Sequence, residues 1–257
     1  MKKTTNEKKN IKRLTKIILF MILFLIMFTL SFFTYVYYTA PEFDSNLLYK
    51  KESSNIYDSK GDLITTIGSE KRHIVSYEEL PQVLIDSIIA TEDSRFFMHN
   101  GLDIPRFMKA SVSYVAGNNI GGASTLTMQI SKNTYTSFDA DGFTGIVRKF
   151  TDIYMSIFKI EKDYNKKEII EFYVNAPYLG GGTYGVQMAS EVYFGKDVSD
   201  LNLVEAAMIA GMFQAPGEYD PYVNPEKTNV RKNEVIDLML RHGYITENIA
   251  HNAKLTD

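Results

Sequence analysis

The sequence predicts a mainly α-helical protein with a small β element near its N-terminus, preceded by one transmembrane helix. Three observations carry that expectation. Ile17–Tyr38 is almost wholly apolar, and residues 17–41 hold no charge. The stretch 55–67 alternates about an Asp58-Ser-Lys-Gly61 turn, which reads as two short strands. From Pro81 onward, apolar residues recur at helical spacing between capping and turn signals.

In chain order, residues 1–16 form a basic tail with seven cations (Lys2, Lys3, Lys8, Lys9, Lys12, Arg13, Lys16) against Glu7 alone. Residues 17–39 follow as the anchor. At 1.5 Å per residue the 22 residues of Ile17–Tyr38 span about 33 Å as a helix, enough for a bilayer. Tyr35, Tyr37 and Tyr38 cluster at its far end, as an interfacial belt does. A cleaved signal peptide is the rival reading, but the apolar run is longer than a signal core, which favours a retained anchor. The charge bias places the tail in the cytoplasm and residues 42–257 outside. Residues 40–54 read as a tether and 55–257 as the extracellular domain.

Composition excludes other classes. There are no cysteines, so disulfides and thiolate metal sites are unavailable. Net charge is −3, and setting aside the +6 tail leaves −9 for the remainder, the wrong balance for a nucleic-acid binder. Hydrophobic content of 45% supports a sizeable core.

Each element of the exterior part has a local reason. His73–Val75 is read as a third strand. Pro81–Ala90 is a helix with Leu84, Ile85, Ile88 and Ile89 on one stripe. Asp103 or Ile104 caps a helix with Pro105 in its first turn, ending near Ala116. Residues 117–122 form a glycine-rich loop, and Ser124 is placed to cap the next helix. Residues 139–145 are another loop. A helix over 146–162 carries an apolar arc of Ile146, Phe150, Ile153, Tyr154, Ile157 and Phe158, with Arg148 and Asp152 on the opposite face. Asn165 with Glu168, and Asn202 with Glu205, are capping boxes. The small residues of Ala206–Gly211 allow close helix packing. Pro216, Pro221 and Pro225 mark a connector, a helix runs to His242 with Gly243 as its stop, and a short helix covers 246–253.

Four stretches carry candidate chemistry. Glu92-Asp-Ser-Arg-Phe96-Phe-Met-His99-Asn-Gly101 puts a carboxylate where an apolar helix runs out beside aromatics, the setting of a usable base. Gly121–Asn133 is a glycine loop leading into a polar helix N-terminus, an anion-site pattern. Arg148-Lys-Phe-Thr-Asp152 sets two cations and an acid on one helix. Lys166–Asn175 is the fourth. By contrast, Gly180-Gly-Gly-Thr-Tyr-Gly185 fits a dinucleotide fingerprint only in letters, because it follows a helix and no βαβ alternation surrounds it. The four histidines lack metal-ligand spacing, and His99 reads as a structural hydrogen-bonder in its loop.

Together and in order, these stretches resemble the peptidoglycan glycosyltransferase (transglycosylase) family of bacterial cell-wall synthases, glycosyltransferase family 51, in its monofunctional members. Glu92-Asp-x-x-Phe96-x-x-His99-x-Gly101 matches the first motif. Gly122-Ala-Ser-Thr-Leu-Thr-Met-Gln129 is similar to the second, Arg148-Lys-x-x-Asp152 to the third, Lys166-x-x-Ile-Ile-Glu171-x-Tyr-Val-Asn175 to the fourth and Arg231-Lys-x-x-Val-Ile236 to the fifth. Met128, Asp152 and Lys232 depart from the pattern, standing where the family has glutamine, glutamate and arginine. Restoring the missing methylene with Asp152→Glu is therefore expected to retain or raise activity.

The resemblance implies a lysozyme-like, two-lobed helical domain with a small membrane-facing lobe. It also implies polymerisation of lipid II by inverting transfer, with release of undecaprenyl pyrophosphate. Its partners would be lipid II, the nascent glycan strand, the bilayer and other cell-wall synthesis proteins. Glu92 is then the base for the incoming 4-hydroxyl, and Asp152 a second catalytic carboxylate and the ligand of a Mg²⁺ or Mn²⁺ ion. Lys132, Arg148 and Lys149 cradle the pyrophosphate; Ser124, Thr125 and Gln129 line the donor site. Asp93, Phe96, His99, Glu171 and Asn175 complete the substrate-binding set, with Asp93 in a supporting role in the loop. Two alternatives stand beside this: a lysozyme-like peptidoglycan hydrolase, which needs no basic cluster, and a non-catalytic paralogue that binds glycan or a cell-wall synthesis partner.

Overall fold

The computed structural model describes residues 5–49, 54–67, 71–117, 122–136 and 140–256. The first four residues, part of the tether (50–53) and parts of the two expected loops (118–121 and 137–139) lie outside the described residues.

Helix α1 is Thr5–Thr39, so it begins inside the basic tail rather than at its apolar edge. No proline or glycine interrupts the chain before Pro41, and lysine is a good helix former, so nothing stops the helix from reaching back. Among the described residues, Lys9–Thr39 is the helix long and apolar enough to cross a membrane. Its far end is clamped by aromatic edges: Phe32 meets Phe150 at 5.3 Å and Phe143 at 6.2 Å, and Tyr37 meets Tyr154 at 5.9 Å. The chain then enters the domain through Phe43, packed against Tyr135, Tyr164 and Phe172.

Strands β1 (Ser54–Tyr57) and β2 (Leu63–Ile67) form the expected antiparallel hairpin, with a bulge at Ile56/Tyr57. Asp58 builds the turn by accepting the backbone N–H groups of Lys60 and Asp62, each at 2.8 Å. The third strand lies two residues earlier than expected: β3 is Lys71–Arg72, parallel to β4 (Thr183–Tyr184). The stretch expected as strand, His73–Val75, is instead fixed by a side chain, because Asn175 both donates to and accepts from the Val75 backbone.

The core lies between α2 (Gln82–Glu92), α9 (Leu203–Met212) and α10 (Pro225–Arg241). Leu84, Ile85, Ile88 and Ile89 of α2 are buried against Ala206, Ala207, Ile209 and Ala210 of α9 and Val235, Ile236 and Met239 of α10. The small residues of α9 let the helices approach; a Cβ on Gly211 would lie 2.9 Å from Arg231 Cγ. Around this core stand α3 (Ile104–Val115), capped by Asp103, and α4 (Leu126–Tyr135). Next come α5 (Gly142–Met155), α6 (Glu161–Asp163), α7 (Lys166–Asn175), α8 (Val186–Phe194) and α11 (Glu247–Leu255). Both capping boxes close as expected. The cap of α4 is Thr125 rather than Ser124: its hydroxyl accepts Met128 N–H at 3.2 Å and donates to Gly101 O at 2.8 Å.

A π-helical turn, Ser156–Ile160, interrupts the run from α5 into α6. Gly101 abuts it. This glycine has φ +83°, and a Cβ there would fall 2.8 Å from the Ser156 carbonyl carbon. The loop after α2 can therefore close onto α5 only through a glycine. Gly101→Ala combines a left-handed backbone penalty with a backbone clash and is expected to cost about 2 kcal/mol or more. A thermal melt should drop by several degrees; an unchanged midpoint would mean the loop is not held this way.

Candidate active site

Helix α2 ends at Glu92, with Asp93 as its C-cap residue. The two adjacent carboxylates face different surroundings. Glu92 is half-buried; its Oε2 accepts from Gln129 Nε2 at 2.8 Å, and its carbonyl accepts from Arg106 at 3.1 Å. Asp93 is fully buried and takes His99 Nε2 at 3.1 Å on both oxygens and the Leu126 N–H at 3.2 Å. It thus ties the first turn of α4 to the loop after α2. In this structure the oxygens of Asp93, expected in a supporting role in the substrate-binding set, are enclosed and face protein donors. Phe96 is likewise wholly buried, with the Lys166 ammonium 4.1 Å from its ring centre, so it props the loop rather than lining a cleft. His99, its side chain 8% exposed, serves Asp93.

Helix α4 carries the next group. Thr125, expected to line the donor site, is buried in its capping bonds. Ser124, half-buried, accepts from Lys149 Nζ at 2.6 Å. Met128 is buried in the core, so its departure from the family pattern removes no amide from a cleft. Gln129 sits on the exposed side of α4, and Lys132, exposed, lies one turn further on the same face.

Helix α5 brings Arg148 and Lys149 alongside. Asp152 does not share the solvent face with Arg148 as the periodicity suggested. It is only 3% exposed, and its Oδ1 accepts from Ser131 at 3.0 Å and Thr136 at 2.7 Å. These hydroxyls from α4 and its C-cap make an inward polar position tolerable, which a hydrophobic-arc reading cannot see. Burial raises the Asp152 pKa above the ordinary carboxylate value, against the two hydroxyl bonds and the nearby Lys149 and Arg148. Burial likewise lowers the Lys149 pKa, opposed by Asp152 and reinforced by Lys132 and Arg148. Desolvation outweighs mutual attraction for both partners, so this charge pair is held at a cost to stability.

The same residues test the expected cation. Among the described residues no three His, Asp or Glu side chains converge, and a Mg²⁺ held by one or two carboxylates with substrate phosphates would need an accessible carboxylate oxygen. Asp152 is enclosed, bonded to hydroxyls and bordered by cations. This donor set does not fit a protein-held Mg²⁺ or Mn²⁺.

Helix α7 contributes structure more than contact. Glu171 accepts the Tyr77 N–H at 3.0 Å, and the fully buried Asn175 brackets Val75. Both, expected in the substrate-binding set, hold the 75–77 backbone here with their polar atoms. Two site residues escaped the sequence reading. Arg106 reaches the Glu92 carbonyl from α3. Tyr173 donates to Gln129 Oε1 at 3.3 Å while its ring stacks on Phe213, centres 4.9 Å apart. Tyr173 stood inside the fourth motif and could have been flagged by the rule that a buried tyrosine hydroxyl needs a partner.

The site therefore gathers one half-buried carboxylate, Glu92, oriented by an amide, on the same side of α4 as Lys132 and next to the helix bearing Arg148 and Lys149. Residues 60–240 match the family model described as Transglycosylase. The chain is 42% identical over 196 residues to penicillin-binding protein 1A of Aquifex aeolicus, covering 76% of this chain and 26% of that protein. It is 40% identical over 215 residues to penicillin-binding protein 1A of Streptococcus pneumoniae, covering 84% and 30%. It is 39% identical over 217 residues to penicillin-binding protein 1A/1B of Bacillus subtilis, covering 84% and 23%. The chain thus spans a third or less of the length of the curated relatives it matches. A crystal structure of penicillin-binding protein 1A from Haemophilus influenzae is 25% identical, with a TM-score of 0.46, over 80% of this chain and 20% of that one.

Proposed function

The chain belongs to the transglycosylase family, and from that premise we propose that it polymerises lipid II into glycan strands at a membrane surface. The observation that carries the reading is the pairing of Glu92 with a cationic cluster on neighbouring helices. Inverting displacement at an anomeric carbon needs one base for the incoming 4-hydroxyl, and a diphosphate leaving group needs charge stabilisation more than a proton. Glu92 supplies the base, with Gln129 holding one oxygen at 2.8 Å. Lys132, Arg148 and Lys149 supply positive charge, and Ser124 fixes Lys149 at 2.6 Å. A peptidoglycan hydrolase on a similar fold would have no use for those three cations.

The membrane belongs to the same proposal. Ile104, Met108 and Val112 of α3, spaced four apart, are exposed, as are Phe143 and Ile146 of α5 and Phe158 of the π-helical turn that follows it. Helix α5 packs on the end of α1, so its part of this apolar surface adjoins the candidate span. Lipid tails of donor and acceptor would stay in the bilayer while their head groups reach Glu92. The basic tail sets the orientation, cytoplasmic N-terminus and external domain. Protease added to intact protoplasts is expected to digest the region 42–257; protection of that region would refute the orientation.

The functional test is purified protein with lipid II, assayed with Mg²⁺, with Mn²⁺ and with EDTA. Glycan polymer with release of undecaprenyl pyrophosphate is the expected result, and the EDTA arm reads any cation carried by the substrate. Absence of polymer in every arm, with lipid II still bound, would leave the non-catalytic reading. Cleavage of preformed glycan would leave the hydrolase.

A further inference from the structure

We propose that Tyr173 is a positioning residue that acts on Glu92 through Gln129, so that the fourth motif sets the geometry of the base in the first. The inference rests on Glu92 being the base and goes beyond it. An ionised carboxylate can only accept, so Gln129 must turn its NH₂ toward Glu92 Oε2, as it does at 2.8 Å. The shape of an amide does not enforce this, because exchanging its oxygen and nitrogen leaves the volume unchanged. Tyr173 removes the ambiguity by donating to Gln129 Oε1 at 3.3 Å. Its hydroxyl keeps the proton, since burial first, and then the Glu92 and Asp93 carboxylates, push its pKa well above the usual phenol value. The donor is itself immobile: its ring lies flat on Phe213, 10° from parallel, and it is 3% exposed. That burial also removes Tyr173 from any direct contact with substrate.

Without the hydroxyl the sense of the amide rests on Glu92 alone, so Gln129 presents its oxygen to Glu92 more often. Whenever two acceptors face one another, the carboxylate turns away or holds a proton. Tyr173→Phe keeps the stacked ring and deletes only the donor.

The test is a four-protein cycle of wild type, Tyr173→Phe, Gln129→Met and the double variant, assayed for lipid II polymerisation below the lowest melting midpoint of the four. Tyr173→Phe is expected to lower kcat about tenfold with KM unchanged, and to move the acidic limb of the rate–pH profile upward by roughly one unit. In the Gln129→Met background the same change is expected to cost less than about twofold, because the link is already gone. Additive losses, or an acidic limb that stays in place in Tyr173→Phe, would overturn the proposal and leave Tyr173 as packing. Full turnover in Glu92→Gln would instead overturn the base assignment, a result read independently of the cycle.

Discussion

Glu92→Gln is expected to lose polymerising turnover by on the order of a hundred- to ten-thousand-fold while keeping its fold and its binding of lipid II. The substitution preserves volume and removes only the capacity to take the hydroxyl proton. Glu92 is the half-buried member of its pair, and its bonds are one side-chain amide on Oε2 and one guanidinium on its carbonyl. The second of these survives substitution, so stability should change little. The neighbouring carboxylate gives the contrast. Asp93 is enclosed and accepts from His99 and from the first turn of α4, so Asp93→Asn would set an amide against donors it cannot all satisfy. Its loss should appear in the thermal melt more than in the chemistry, by about 1–3 kcal/mol. A substrate-positioning role for Glu92 would act mainly on KM. Near-normal polymer from Glu92→Gln sinks the mechanism.

What could be read in advance follows from which forces are local. Helix α2, both capping boxes and the 55–67 hairpin were legible because each is written in neighbouring residues: a four-residue stripe, an Asn with a Glu three later, an Asp-led turn. The order of the motifs located Glu92, Gln129 and the cations for the same reason. Facing direction was another matter. The motif pattern marks Asp93, Phe96, Thr125, Glu171 and Asn175 as one set, yet each is engaged with a partner distant in sequence, such as Asn175 with Val75. Glu171 holds the Tyr77 backbone in the same way. No spacing rule reports such long-range partners. Asp152 misled for a related reason: a carboxylate next to a cation on a helix is usually solvent-facing, and only the hydroxyls of Ser131 and Thr136 turn it inward.

Asp152→Asn is expected to lower polymerisation by roughly a hundredfold without lowering the melting temperature at neutral pH. Asparagine keeps an oxygen to accept the Ser131 and Thr136 hydroxyls and removes the buried charge. Because burial raises the folded-state pKa of Asp152 above its ordinary value of 3.8, the group favours folding most fully below that value. The contribution is lost as pH rises through the raised folded-state pKa. At neutral pH the ionised carboxylate therefore costs stability, which Lys149, its own pKa lowered by burial, offsets only in part. In Asp152→Asn the stability–pH curve should lose its decline above pH 3.8, and its neutral-pH midpoint should match or exceed that of the native chain. Activity falls for the opposite reason. Lys149 loses the countercharge that helps keep it protonated beside Ser124, and the diphosphate loses a fixed cation. Asp152→Glu, for which the family pattern implies retained or raised activity, has to fit a further methylene into a site only 3% exposed, and its melt and turnover read which effect wins. Overpacking of that kind typically costs about 1–3 kcal/mol. Melts from pH 3 to 8 together with lipid II turnover decide the matter. Unchanged turnover in Asp152→Asn would show that the carboxylate is dispensable, and turnover lost only in proportion to stability would reduce it to a prop between α4 and α5.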